Sequence, residues 1–294
     1  MNNAQKISEQ HPDTEGRAGA FQSVPLDAVR NYWNARPCNV RHSPSPVGTQ
    51  QYFDEVEARK YLVEPHIPQF AEFGRWKGKR VLEIGCGIGT DTINFARAGA
   101  QVTAVDLSGE SLALAKQRAE VFGLTNITFY QANAEQLSDV VPVERYDLVY
   151  SFGVIHHTPH PERVIEQIHK YMDNDSIFKI MVYHRTSWKV LWMVLSYGRS
   201  RGESLDALIA RHSEAETGCP VTYSYTRDTI KEFLKGFEMV DVRIDHIFPY
   251  RIPEYRNYQY RQVWYFRWLP KAVFRWMEQH WGWHLCVTAK RNQT

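Results

Sequence analysis

Arg80-Val-Leu-Glu-Ile-Gly-Cys-Gly-Ile-Gly-Thr-Asp91 is a short apolar run that breaks into three alternating glycines and then into a helical pattern. It reads as a strand, a tight turn and a helix start. Val81, Leu82 and Ile84 are the bulky apolar residues of a parallel strand buried on both faces. Gly85, Gly87 and Gly89 withdraw side chains where backbone turns sharply and a ligand lies against it. Thr90 or Asp91 is placed to cap a helix over residues 92–98, with Gly99 as its stop. The free N–H groups of that helix then face the ligand.

Glycine-rich turns serve many nucleotides, so spacing has to discriminate among them. A dinucleotide turn, G-x-G-x-x-G, would place its third glycine at position 90, where this chain has Thr90. Glu83, two residues before Gly85, sets a carboxylate at the end of a buried strand. That group is ill-matched to a pyrophosphate and well-matched to a cation. The stretch therefore favours a positively charged, phosphate-free nucleoside such as S-adenosyl-L-methionine and disfavours a nicotinamide-dependent oxidoreductase.

Working outward, residues 101–106 read as a second strand ending in Asp106, an acid placed about 20 residues on to accept both ribose hydroxyls. Ser108 caps a helix over 110–122 that stops at Gly123. A third strand over 126–131 leads into Ala132-Asn-Ala-Glu135, and a fourth over 146–151 leads into Phe152-Gly-Val-Ile-His-His-Thr-Pro159. A helix over 161–172 and a fifth strand over 177–183 follow. Such alternation implies a parallel sheet covered by helices on both faces, with ligands beyond the carboxyl ends of the strands. All these motifs fall at those ends.

Glu83-Ile-Gly-Cys-Gly-Ile-Gly89 resembles the first motif of the class I S-adenosylmethionine-dependent methyltransferases. Asp106, Asn133-Ala134 and residues 151–157 match later motifs of that superfamily in order and spacing, and the resemblance is good over residues 78–182. It implies an α/β fold with a doubly wound, seven-stranded Rossmann-like methyltransferase sheet, in which a last strand over 284–290 runs antiparallel between the fifth and a sixth over 237–246. It also implies cofactor contacts from Glu83, Gly85, Gly87, Gly89, Asp106, Leu107, Asn133, Ala134 and Ser151. Many members carry Asp where this chain has Asn133; the Asn carbonyl can still accept from the adenine amino group, and a plain turn residue is the alternative. The Asn- or Asp-Pro-Pro-aromatic motif of adenine and glutamine methylases is replaced here by Ser151-Phe-Gly-Val154. The resemblance is closer to the branch that methylates ubiquinone and menaquinone precursors and other small molecules.

Length and composition set the outer bounds. The 294 residues are 43% hydrophobic and 23% charged, ordinary values for a globular protein, with 35 Lys and Arg against 33 Asp and Glu for a net charge of +2. That balance argues neither for nor against nucleic acid. The four cysteines, Cys38, Cys86, Cys219 and Cys286, lie far apart without a C-x-x-C pair. Free thiols in a reducing cytoplasm are expected, with no zinc site and no disulfide framework. No stretch has the length and apolarity of a membrane span or a leader peptide.

Three regions stand outside the strand-helix rhythm. Residues 1–20 read as a flexible polar tail. Residues 21–77 read as an N-terminal helical lid, with helices over 26–34, 51–61 and 65–73, ahead of a domain running from 78 to 294. Superfamily lids close over cofactor and substrate, which makes Tyr32, Trp33, Arg36, Arg41, His42 and Tyr52 candidates to line a pocket; Arg36 and Arg41 could hold an anionic group. Residues 185–225 are expected to form a helical insertion. The connection over 249–283 holds five of the nine Trp and a run of Arg and Lys. An aromatic pocket wall with solvated cations is its leading reading, ahead of peripheral membrane-surface contact and of nucleic acid.

Methyl transfer from a sulfonium is an in-line displacement that needs alignment rather than a strong acid or a metal. An amine, hydroxyl or acidic carbon acceptor calls for a base to take its proton. His157, His156, Tyr183 and His184 stand at the ends of the fourth and fifth strands, with imidazole the natural base. The leading expectation is methylation of an N, O or C atom of a small-molecule acceptor, anionic or lipid-like. The alternative is a non-catalytic regulatory protein that binds S-adenosylmethionine or another nucleoside on the same fold.

Overall fold

The computed structural model describes residues 20–198, 202–216 and 218–292. Apart from Ala20, the tail expected over 1–20 lies outside the described residues, as do 199–201 and 217 within the expected insertion.

Among the described residues three α-helices precede the sheet: α1 (Leu26–Ala35), α2 (Gln50–Val63) and α3 (His66–Ala71). Then come β1 (Arg80–Ile84), α4 (Thr90–Arg97), β2 (Gln101–Asp106), α5 (Gly109–Val121) and β3 (Ile127–Gln131). They are followed by β4 (Leu148–Phe152), α6 (Pro161–His169) and β5 (Ile177–Tyr183). The insertion supplies α7 (Trp188–Tyr197) and α8 (Leu205–Glu216). The chain continues through α9 (Arg227–Phe233), β6 (Phe237–Asp245), the short helices α10 (Ile252–Arg256) and α11 (Trp264–Arg267), then α12 (Lys271–Trp281) and β7 (His284–Arg291).

The strands form one seven-stranded sheet in the order β3-β2-β1-β4-β5-β7-β6. All neighbours are parallel except β7, which runs antiparallel between β5 and β6. This is the Rossmann-like methyltransferase fold expected from the sequence, with its antiparallel strand in the expected place. β5 is buried along its whole length, which explains the near-continuous apolar run Ile177-Phe-Lys-Ile-Met-Val-Tyr183.

Side chains alternate across each strand, so β1 feeds two cores. Leu82 and Ile84 join one with Val149, Phe178 and Val287, while Val81 joins the other with Phe95, Ala104 and Tyr150. Glu83 shares the face of Val81, and this parity governs where its carboxylate goes.

Local signals worked at most boundaries. Ser108 accepts from the Ser111 N–H and Thr226 from the Thr229 N–H, each capping the helix it precedes. α6 ends three residues earlier than expected, because the chain turns at Lys170 and Tyr171 to let Tyr146 N–H donate to Tyr171 O. Neither Thr90 nor Asp91 caps α4. The N-cap is Gly89 at φ 77°, and both side chains lie inside the helix, buried and engaged elsewhere.

The helices before β1 are fastened to the sheet by buried polar contacts. Lys60 on α2 pairs with Asp91 at 2.7 Å, and the Tyr61 and Tyr150 hydroxyls also donate to that carboxylate. Arg118 on α5 donates to Thr90 Oγ1, Phe53 O and Glu57. Among the described residues no buried ion pair holds α1, which rests on Trp33 and on a hydrogen bond from Ser108 Oγ to Asn34 Oδ1.

Candidate active site

The glycine turn opens a cleft at the carboxyl edge of the sheet. A Cβ on Gly85, at φ 81°, would stand 2.2 Å from Val154 Cγ2, so the two loops close against each other only because that side chain is missing. One on Gly89 would press against Ala115 on α5 at 3.1 Å. Gly85 and Gly87 line the cleft together with Asp106, Leu107, Asn133, Ala134, Trp33 and His157.

Asp106 is the fixed point of this cleft. Its Oδ2 accepts from Gly87 N–H at 2.8 Å and its Oδ1 from Ser108 N–H at 2.8 Å. Each oxygen keeps lone pairs for a second donor, the requirement for gripping a pair of vicinal hydroxyls. Burial raises its pKa from the usual range, against the pull of these amides. Asn133 Oδ1 accepts from Glu135 N–H at 3.0 Å and caps a short 3-10 turn over Ala134–Asp139. It is therefore a turn residue that also faces the cleft.

Several expected contacts are not brought to the cleft. Glu83 is 3% exposed and accepts from Thr92 Oγ1 at 2.5 Å on the far face of β1. Burial, helped by Asp91, pushes its carboxyl up to about 8. Ser151 is also buried, donating to Ile84 O. Gly89 serves the packing of α4 on α5 rather than the cleft wall. Arg36 is exposed over the Tyr32 ring at 5.5 Å. Arg41 is exposed as well, and its carbonyl accepts from Tyr258. His42 packs on Tyr255 beside Arg59, and burial with that cation pulls it down to about 3. The proline-punctuated loop carries this group away from the glycine turn.

Among the strand-end candidates, only His157 lines the cleft. Its Nδ1–H donates to Val221 O at 2.7 Å, and its Nε2 is 3.6 Å from Glu214 Oε1 without a hydrogen-bond partner. Burial lowers the imidazole pKa, but Cys219, the Glu214 carboxylate and the Val221 carbonyl outweigh it and hold it at about 9. His156 lies behind, fully buried between His157 at 4.2 Å and Tyr183 at 4.0 Å, with neither ring nitrogen bonded. Tyr183 donates to Glu214 and stacks against Trp283 at 4.2 Å. His184 is locked by Gly282 O at 3.0 Å and Thr186 Oγ1 at 2.8 Å, so it serves as structure.

Cys38 and Glu214 carried no sequence signal. Cys38 lines the cleft with its side chain exposed. Glu214 arrives from the insertion. Phe152 lines the cleft on one side and packs on His66 at 6.0 Å and His284 at 5.6 Å on the other. Beyond it a second cavity of 590 Å³ is lined by Lys189, His246, Phe248, Tyr255 and Trp283. Around it, burial pulls Lys189 below its ordinary value, as it does His246 and His284, and pushes Glu64 up to about 7.

A family model described as a methyltransferase domain matches residues 76–228. The ubiquinone biosynthesis O-methyltransferase of Glaesserella parasuis serovar 5 (strain SH0165) is 30% identical over 121 residues, 40% of this chain and 51% of that protein. The chain thus spans about half the length of this curated relative. Magnesium protoporphyrin IX methyltransferase from Synechocystis PCC 6803 with bound SAH superposes with a TM-score of 0.57 at 18% identity, covering 91% of this chain and 100% of that one. The [4+2]-cyclase SpnF does so with a TM-score of 0.53 at 18% identity, covering 93% and 97%. At such identities the likeness shows the fold alone.

Proposed function

The chain belongs to the methyltransferase-domain family, whose model matches residues 76–228, and from that premise we propose that it is an S-adenosyl-L-methionine-dependent methyltransferase. Its acceptor in this reading is a small molecule methylated at N, O or C. The observation that carries the reading is the Asp106 carboxylate, fixed by the Gly87 and Ser108 amides in the same cleft as the bare backbone of Gly85. The residues fit the cofactor: the backbone of Gly85 and Gly87 lines the cleft, and the carboxylate keeps acceptor capacity for ribose. Among the described residues no lysine or arginine lines this cleft to meet a phosphate.

When bound, the cofactor supplies a sulfonium methyl for in-line displacement. Asp106 holds the sugar, Asn133 and Ala134 border the base, and Gly85 with Gly87 lets the chain of the ligand lie on backbone. His157 handles the acceptor's proton at Nε2, its other nitrogen being committed to Val221. Glu214 stands behind it as a fixed charge. The kinship to an O-methyltransferase of ubiquinone biosynthesis favours a hydroxyl acceptor within this class.

The cleft encloses 130 Å³, below the ~300–1,000 Å³ of ordinary ligand pockets. This supports a lid role for residues 21–77 concentrated in α1, which borders the cleft through Leu26, Val29 and Trp33 and lacks the buried ion pairs of α2. Among the described residues no helix is long and apolar enough to cross a membrane. The four unpaired cysteines support a reducing, cytoplasmic compartment.

Calorimetric titration of the purified chain tests the reading. Saturable binding of S-adenosylmethionine with none of NADH is expected, and the reverse would overturn it. The alternative is a non-catalytic protein that binds the cofactor on the same fold; release of S-adenosylhomocysteine with any acceptor in a panel of phenols, amines and carboxylates would exclude it.

A further inference from the structure

Glu64, His246 and His284 come from three separated parts of the chain, yet one ligand atom from each lies within 4.8 Å of the other two. Glu64 follows α2 as its C-cap residue. His246 follows β6, and His284 opens β7. The antiparallel register sets Asp245 opposite His284, so the end of one strand and the start of the next meet at the carboxyl edge of the sheet.

The geometry suits a metal ion better than a network of hydrogen bonds. His284 Nε2 stands 3.6 Å from Glu64 Oε1, whereas two ligand atoms on a tetrahedral zinc with bonds of ~2.05 Å stand about 3.4 Å apart. The His246 and His284 rings are 4.5 Å apart. Among the described residues no hydrogen bond reaches the Glu64 carboxylate or the His246 ring. His284 Nδ1 is engaged by His66 Nε2 at 3.0 Å. If His284 donates in that bond, its Nε2 lone pair is turned towards Glu64, and His66 is the outer partner that metal-bound histidines characteristically have. Protonating these crowded rings instead would set like charges within a few ångströms of one another. A dication satisfies both lone pairs and the carboxylate together.

We propose that Glu64, His246 and His284 form a binding site for a divalent transition-metal ion, of the zinc or ferrous class, with at least one coordination position open. Two imidazoles and a carboxylate are the donor set such ions take. The open position faces the 590 Å³ cavity that His246 lines with Lys189 and Trp283, where water or an oxygen donor of a ligand completes the shell. Phe152 packs on His284 from one side and lines the glycine cleft from the other. The site stands independently of the methyltransferase reading.

The test uses the full-length chain without an affinity tag, stripped with a chelator and dialysed. Titration with ZnCl2 is expected to show one ion per chain, and CoCl2 to give visible d–d absorption. Glu64→Gln, which keeps the side chain's shape, and His246→Asn, which tolerates the left-handed backbone of that position (φ 73°), should each weaken uptake more than about tenfold. His66→Phe should weaken it by about tenfold through lost orientation of His284. Melting curves in chelator check that each variant is folded, and the Glu64 variant decides the matter if His246→Asn is not. Absence of saturable uptake of either ion, or uptake unchanged in Glu64→Gln, would overturn the proposal.

Discussion

Asp106 is where the chemistry of single residues can be weighed most directly. Two backbone amides hold its carboxylate in place, so its orientation is determined before any ligand arrives, and little ordering remains to offset the binding energy. Hydrogen bonds to a charged acceptor contribute about 1.5–3 kcal/mol each. Asp106→Ala is therefore expected to weaken S-adenosylmethionine binding by about 10²-fold in calorimetry, with the melting temperature changed far less. His157 acts through its proton instead. Held at about 9, it is largely protonated at pH 7, with only about 1% in the basic form that a general base requires. If Nε2 accepts the acceptor's proton, kcat/KM should climb about tenfold per pH unit from 7 and level off near pH 9. His157→Gln should erase that limb; a wild-type profile flat over the same range would remove the base role.

At the scale of elements, α2 and α4 are joined by charge rather than by apolar packing alone. Lys60 and Asp91 are both buried and 2.7 Å apart, with the Tyr61 and Tyr150 hydroxyls completing the carboxylate's partners. Removing one member of such a pair leaves the other charge uncompensated, at a cost of about 3–5 kcal/mol. Lys60→Met should lower the unfolding free energy in urea by that order, and adding Asp91→Asn should restore part of it. The same contact explains why Asp91 is no helix cap. A residue whose side chain is claimed by a lysine 31 positions earlier cannot also close the helix whose first turn it occupies, and Gly89 takes the left-handed turn instead.

Seen whole, the molecule keeps its candidate sites on one edge. The carboxyl ends of β1, β2 and β4 carry the glycine cleft, while the end of β6 and the start of β7 carry the histidine cluster, with Phe152 between them. The connection from β6 to β7 divides its aromatics. Phe248, Tyr255 and Trp283 line the inner cavity, as a pocket wall would, whereas Trp264 and Trp268 are 73% and 78% exposed beside Arg261 and Arg267. The exposed pair supports peripheral contact with an anionic membrane surface. Vesicles containing phosphatidylglycerol should sediment the chain at low salt, and Trp264→Ser with Trp268→Ser should abolish this. Equal sedimentation of both forms would leave these residues as plain surface.

Much of this organisation is legible in the sequence. Val81-Leu82-Ile84 followed by glycines at 85, 87 and 89 settles a strand and turn by itself, because sheet burial and positive-φ turns demand those residue types within a few positions. Ser108 announces its helix for the same local reason. The alternation of strands and helices then determines a parallel sheet and the edge where ligands bind. What the tertiary structure alone decided was the direction of the polar side chains. Glu83 turns away from the cleft because strand parity and Thr92 draw it to the other face; Arg36 and Arg41 are carried outward by their loop; Glu214 reaches His157 from a distant insertion. The cluster of Glu64, His246 and His284 draws on both ends of the chain and has no spacing to read, since it exists only where an antiparallel β7 returns beside β6. Local pattern specifies backbone; the meeting of distant side chains is a property of the folded whole.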